Sequence, residues 1–178
     1  MLPYIFNPAN YEFNPYAIPT FGTAAAIFLL GLLVLFRERG SLVSLLFLLV
    51  ALTVGLWFFG FSWMYCAVDA RVALWWAQTA HLGIVLIPSA VYHFTVCTLN
   101  IYRQNKRIVW MSWALSTLFF IAILTSHALI NDLYHYWWGY YPRYDWLSFP
   151  FLTCFFAVLL RSLRHYQTDY EKARPGTR

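Results

Sequence analysis

Residues able to do chemistry in this chain gather in two places. The first is Trp75 to Leu99, WWAQTAHLGIVLIPSAVYHFTVCTL, which places Gln78, His81, Pro88, Tyr92 and His93 inside a run free of charge from Val72 to Tyr102. Polar groups within a segment long enough to cross a bilayer are costly unless paired, and they mark ligand or relay sites. The second is Tyr134 to Trp146, YHYWWGYYPRYDW, where eight of thirteen residues are aromatic and Gly139, Pro142, Arg143 and Asp145 interleave with them. Its rings offer stacking area, and Arg143 offers a planar cationic fork suited to an anionic ligand. Each place also has a plain structural account. Gln78 and His81 can hydrogen-bond neighbouring helices, at about 1 kcal/mol each in lipid, and the aromatic segment can serve as an interfacial belt.

Several chemistries are excluded by what these segments lack. Ion-coupled transporters and proton pumps use buried carboxylates, yet the apolar segments hold no Asp, Glu or Lys. Retinal chemistry needs an intramembrane lysine, and the lysines are Lys106 and Lys172, both in polar stretches. The five histidines, His81, His93, His127, His135 and His165, form no HxxxH pair. Counting along helices puts His81 roughly 13 Å deep and His127 within ~5 Å of the surface, an awkward pair for one metal or haem. No phosphate-cradling glycine loop is present, so no catalysis and no cofactor is expected, and nothing supports nucleic-acid binding.

The first segment has an ordered geometry. Leu74, Gln78, His81, Val85, Pro88, Tyr92 and Thr95 alternate by three and four and form one helical stripe, while Trp75 and His93 lie on a second. Pro88 removes an intrahelical hydrogen bond from mid-helix and is a candidate kink or hinge. The candidate ligand or relay site is therefore Gln78, His81 and Tyr92, facing the bundle interior, joined by Trp138 and Arg143. That interior is expected to open beneath the aromatic loop, with Pro88 at its floor.

These residues must be positioned by a membrane bundle. Of the 178 residues 61% are hydrophobic and 11% charged, too little polar material for a water-facing surface. Charges divide the chain into apolar blocks that predict an all-α fold of five spans, near 17–36, 41–63, 73–99, 108–129 and 146–165, in one membrane domain over 1–166. Residues 167–178 read as a polar cytoplasmic linker. Ten Lys and Arg residues fall on one side of the spans and only Arg71 and Arg143 on the other, which places the N-terminus outside and the C-terminus in the cytoplasm of a plasma membrane. Cys66, Cys97 and Cys154 are expected to be free, buried thiols.

FNPYAIPTF at Phe13–Phe21, the Trp57–Gly60 block, WWAQTAHLGIVLIPSAVYHFTV at Trp75–Val96 and WWGYYPRYDWLSFPF at Trp137–Phe151 carry a resemblance. In order and spacing the chain resembles the seven-helix N-terminal membrane region of bacterial sensor histidine kinases, found also on some diguanylate cyclases, cut short after its fifth helix. The resemblance implies a homodimeric sensory input module of two-component type. It would receive a small-molecule or membrane stimulus and pass it to a C-terminal signalling domain outside this chain. A membrane-embedded binding or assembly subunit, haem-linked in one version, is the alternative.

Overall fold

The computed structural model describes residues 2–173, as five long helices and one small sheet. A helical turn α1 (Leu2–Ile5) and a 3-10 turn (Pro8–Asn10) lead into α2 (Ala17–Arg37), α3 (Leu42–Cys66), α4 (Ala70–Thr98) and α5 (Tyr102–Thr125). An antiparallel hairpin, β1 (Ile130–Tyr136) and β2 (Gly139–Tyr144), then precedes α6 (Ser148–Ala173). Four helices, α2 to α5, are long and apolar enough to cross a membrane.

Three expectations are corrected. The chain is not all-α, because the aromatic segment read as a loop pairs as a hairpin with Tyr134 opposite Tyr141 and Tyr136 opposite Gly139. Alternating aromatic residues have high strand propensity, and Gly139 supplies the turn with a φ of 131°. Of the five spans expected, four stand as the apolar membrane-length helices α2 to α5. The segment expected as the fifth, 146–165, falls on the first two thirds of α6, with Arg161 and Arg164 inside it, and the helix runs on to Ala173. Residues 167–173, assigned to the linker, are thus helical, and 174–178 lie outside the described residues. The cysteines are free, but all three are half-buried rather than buried.

Local chemistry sets the helix ends. After α2 the chain reverses through Arg39 and Gly40, both at positive φ (51° and 72°), with the Gly40 N–H donating to Leu35 O at 3.0 Å. Ser41 then caps α3, its Oγ accepting from the Ser44 N–H at 3.2 Å. Asp69 caps α4 in the same way: its Oδ1 accepts from the Arg71 N–H at 2.7 Å, while Oδ2 accepts from the Tyr4 hydroxyl at 2.8 Å. The Arg71 guanidinium first, and then the Tyr4 hydroxyl, hold this carboxyl down at about 2. A carboxyl with a lowered folded pKa contributes stability that is present above its ordinary value of 3.8 and is lost as pH falls through about 2. Replacing Asp69 with alanine is expected to cost about 1 kcal/mol at neutral pH, mainly as a lost cap. Melting temperatures of the two proteins from pH 7 down to pH 2 should therefore converge. The exposed Arg71 partner adds little to the difference, being screened by water.

Glycines and alanines bring the helices together. A Cβ on Gly31 would stand 2.7 Å from Ala51 Cβ, and one on Gly60 would stand 2.7 Å from Ala80 Cβ. Such small-residue seams replace the hydrophobic drive that is absent between helices in lipid. The result is a sheet-like row of α2, α3 and α4, with α5 and α6 closing against α4. α4 is the centre: Val72, Ala73, Ala77, Ala80, Val85, Ala90 and Val96 are all fully buried.

Candidate functional site

α4 carries a polar group at each end of its buried face. At the hairpin end His81 is 1% exposed. Its Nδ1 lies 2.7 Å from the Ala77 carbonyl oxygen, which can only accept, so Nδ1 bears the proton and Nε2 the lone pair. That Nε2 has no hydrogen-bond partner among the described residues. The ring is held between Phe61 of α3, with centroids 6.0 Å apart, and Tyr144 of β2, 5.6 Å away edge-on. Aromatic contacts continue from Phe61 to Tyr65, from Tyr65 to Trp138, and through Tyr141 back to Tyr144. His81 is thus one member of a closed aromatic ring joining α3, α4 and the hairpin.

Asn14 anchors that hairpin to the bundle. Its Nδ2 donates to Tyr65 O at 2.8 Å and to Trp138 O at 2.9 Å, while its Oδ1 accepts from the Tyr16 N–H at the start of α2. The Tyr140 hydroxyl donates to Val68 O at 3.1 Å, beside the α3–α4 turn. The hairpin is therefore tied to the lead-in of α2, to the end of α3 and to the α3–α4 turn, the last two through backbone carbonyls that the helix end leaves free.

The predicted site residues divide. His81 and Tyr92 are interior, and Trp138 reaches the His81 ring cluster through Tyr65 and Phe61. Gln78 is half-buried, its Nε2 donating to His127 Nδ1 at 2.8 Å, which ties α4 to the segment after α5. Arg143 is not brought to the site. In β2 it alternates with Pro142 and Tyr144, so it points away from the bundle, with Nη1 3.9 Å from Asp132 Oδ2 and its guanidinium 5.9 Å above the Tyr134 ring. Trp138 and Tyr144 cover the His81 side of the interior, and the larger clefts lie along α2 and α3 and over Tyr11 and Trp76 instead. Among the described residues no three His, Cys, Asp or Glu side chains gather as a metal-ligand set.

At the opposite end Tyr92 is fully buried and its hydroxyl is the hub of three helices. It donates to Asn105 Oδ1 of α5 at 3.2 Å and accepts from Arg161 Nε of α6 at 3.2 Å, with His165 Nε2 at 3.5 Å. Asn105 is itself 8% exposed and returns its Nδ2 to Ile101 O. Between the two ends Pro88 lies inside α4, next to Ser89, whose Oγ is 2.7 Å from Ser116 Oγ of α5. Asn105, Arg161 and His165 escaped sequence reasoning because they sit among loop and helix-end charges, where cations read as sidedness markers. The one legible signal was their nearness in membrane depth to Tyr92.

Comparison with family models, with curated proteins and with solved structures finds no match.

Proposed function

We propose that this chain is a membrane sensory input module with five spans, N-terminus outside, that biases a C-terminal output domain through α6. One observation carries the reading. A single buried helix, α4, holds the hairpin cluster at His81 and the Tyr92 hub on α6, with Pro88 between them. A helix joined to a surface element at one end and to the exit helix at the other can convert a change of hairpin packing into a change at α6, provided that two packings of the bundle differ by only a few kcal/mol. Pro88 lacks the N–H that would stiffen that middle turn and is the hinge in this scheme. The module binds the lipid bilayer, works as a homodimer and performs no catalysis itself. The site consists of His81, Gln78 and Tyr92, with Trp138 as the hairpin contact, and Arg143 serves on the outer face.

The alternative of a haem-linked subunit draws on the bare Nε2 of His81. An absorbance spectrum of the purified protein decides it, since a Soret band would replace the sensory reading by the haem one. Topology provides the second test. A reporter active only in the cytoplasm and fused after residue 178 is expected to be active, whereas an export-dependent reporter there should be silent. The opposite pattern would reverse the orientation and remove α6 as the cytoplasmic exit.

A further inference from the structure

We infer that the groove between α2 and α3 is a binding site for an uncharged single-chain amphiphile, its hydrocarbon chain along the helices and its head group at Trp63. Two clefts make up this groove and a third, between the N-terminal segment, α3 and α4, adjoins it at Phe59 and Trp63. One, of about 320 Å³, runs between the two helices past Phe21, Ala25, Phe28, Leu52 and Gly55. The second, of about 440 Å³, continues it towards the hairpin end, past Asn14, Ala17 and Ser62. The third, of about 480 Å³, lies over Phe6, Tyr11 and Trp76. Phe21 borders the first two, Phe59 the first and third, and Trp63 the second and third.

Length, charge and an unpaired donor identify the occupant. From Ala17 to Phe28 the walls extend about 16 Å at ~1.5 Å per residue, close to half of a ~30 Å hydrocarbon layer, the depth reached by one acyl chain. Glycine and alanine at 55, 24 and 25 open this space, since a Cβ on Gly55 would meet only Ala24 O at 3.8 Å. The N-terminal segment roofs the mouth, fixed by the Glu12 N–H on Cys66 O at 2.8 Å and the Val68 N–H on Asn10 O at 3.0 Å. Near that mouth the charges among the described residues are Glu12 and the Asp69–Arg71 pair, which offer an anionic head group no free cation. Trp63 Nε1 is a buried donor without an acceptor among the described residues. A modest turn of this half-exposed ring towards either cleft would give the N–H an acceptor oxygen on the ligand, recovering the cost of leaving a buried donor unmade.

The site would deepen the sensory reading by naming the class of stimulus. Trp63 stacks on Trp76 of α4 with centroids 5.7 Å apart and planes 18° apart, and Trp76 Nε1 donates to the Tyr11 hydroxyl at 2.8 Å. An amphiphile against Trp63 therefore presses on the central helix. This consequence rests on the proposed function, but the binding itself does not and is measured apart from any signalling output.

The full chain in phosphatidylcholine nanodiscs would be photolabelled with hexadecanol bearing a diazirine, and in parallel with the matching hexadecanoic acid. Saturable labelling by the alcohol, competed by plain hexadecanol and mapped to residues 13–28 and 52–66, is expected. Ala25→Trp fills the groove from an exposed position and should reduce labelling at least fivefold without lowering the melting temperature. Trp63→Phe should weaken alcohol binding about tenfold, the worth of one hydrogen bond, in a protein that still folds, its melting temperature lowered only by the packing lost against Trp76. Labelling that rises without saturation, spreads over all helices, or ignores Ala25→Trp would overturn the site. Equal saturable labelling by the acid would overturn the uncharged head group.

Discussion

Replacing Gly83 with alanine is expected to remove most of the folded protein, a larger loss than any polar substitution in the chain. A Cβ at this position would overlap the Thr53 carbonyl oxygen and come within 3.0 Å of the Trp57 N–H nitrogen. Both are backbone atoms of α3, so no side-chain rotation relieves the clash and the two helices must part. Overpacking in a close-packed interior costs about 1–3 kcal/mol and more where nothing can yield. Domains have only about 5–15 kcal/mol in total, and the α3–α4 contact separated here is the largest in the fold. Gly22→Ala is the matched control, since a Cβ there has nothing within 4 Å. The fraction of monodisperse protein after detergent extraction, with melting temperature as the second readout, should fall sharply for Gly83→Ala and stay near the parent for Gly22→Ala. If Gly83→Ala extracts and melts like the parent, α3 and α4 are not packed as described.

The sequence could give the membrane class and four of the helices because both depend on composition over twenty residues, which local accidents hardly disturb. It also gave the buried stripe of α4, since three-and-four spacing is a direct reading of helix geometry, and His81 and Tyr92 lie on it as interior residues. The hairpin was hidden because strand pairing is a relation between two segments. A run of tyrosines and tryptophans serves equally as a belt or as a strand until its partner is known. For the same reason Arg143 was misplaced. Its direction follows from strand alternation, which a loop reading cannot supply. Asn105 and Arg161 were missed since their role depends on α5 and α6 both reaching Tyr92, a tertiary fact. α6 itself defeated the span criterion by joining an apolar half to a charged half in one continuous helix.

The Tyr92 hub leads to the second large effect, expected from Tyr92→Phe. The substitution keeps the ring and removes one oxygen, which leaves Asn105 Oδ1 without its donor and Arg161 Nε without its acceptor. Arg161 is exposed and can turn to water, whereas Asn105 is 8% exposed and cannot. The net cost is then about 1–3 kcal/mol, set mainly by the stranded Asn105 acceptor. Its effect is directional: α5 keeps its packing on α4 through Val109, while the half of α6 beyond Arg161 loses its polar tie to α4. Hydrogen exchange should accordingly quicken in residues 161–173 several-fold more than in 102–125. Tyr102→Phe is the control, because that ring stacks on His93 at 5.5 Å and takes no part in the hub. Equal exchange in the parent and in Tyr92→Phe would mean that α6 is held by Phe151, Phe155 and Val158 in its apolar seam alone. The hub would then carry nothing from α4 to the exit helix, and the route from His81 to α6 would have to pass through that seam.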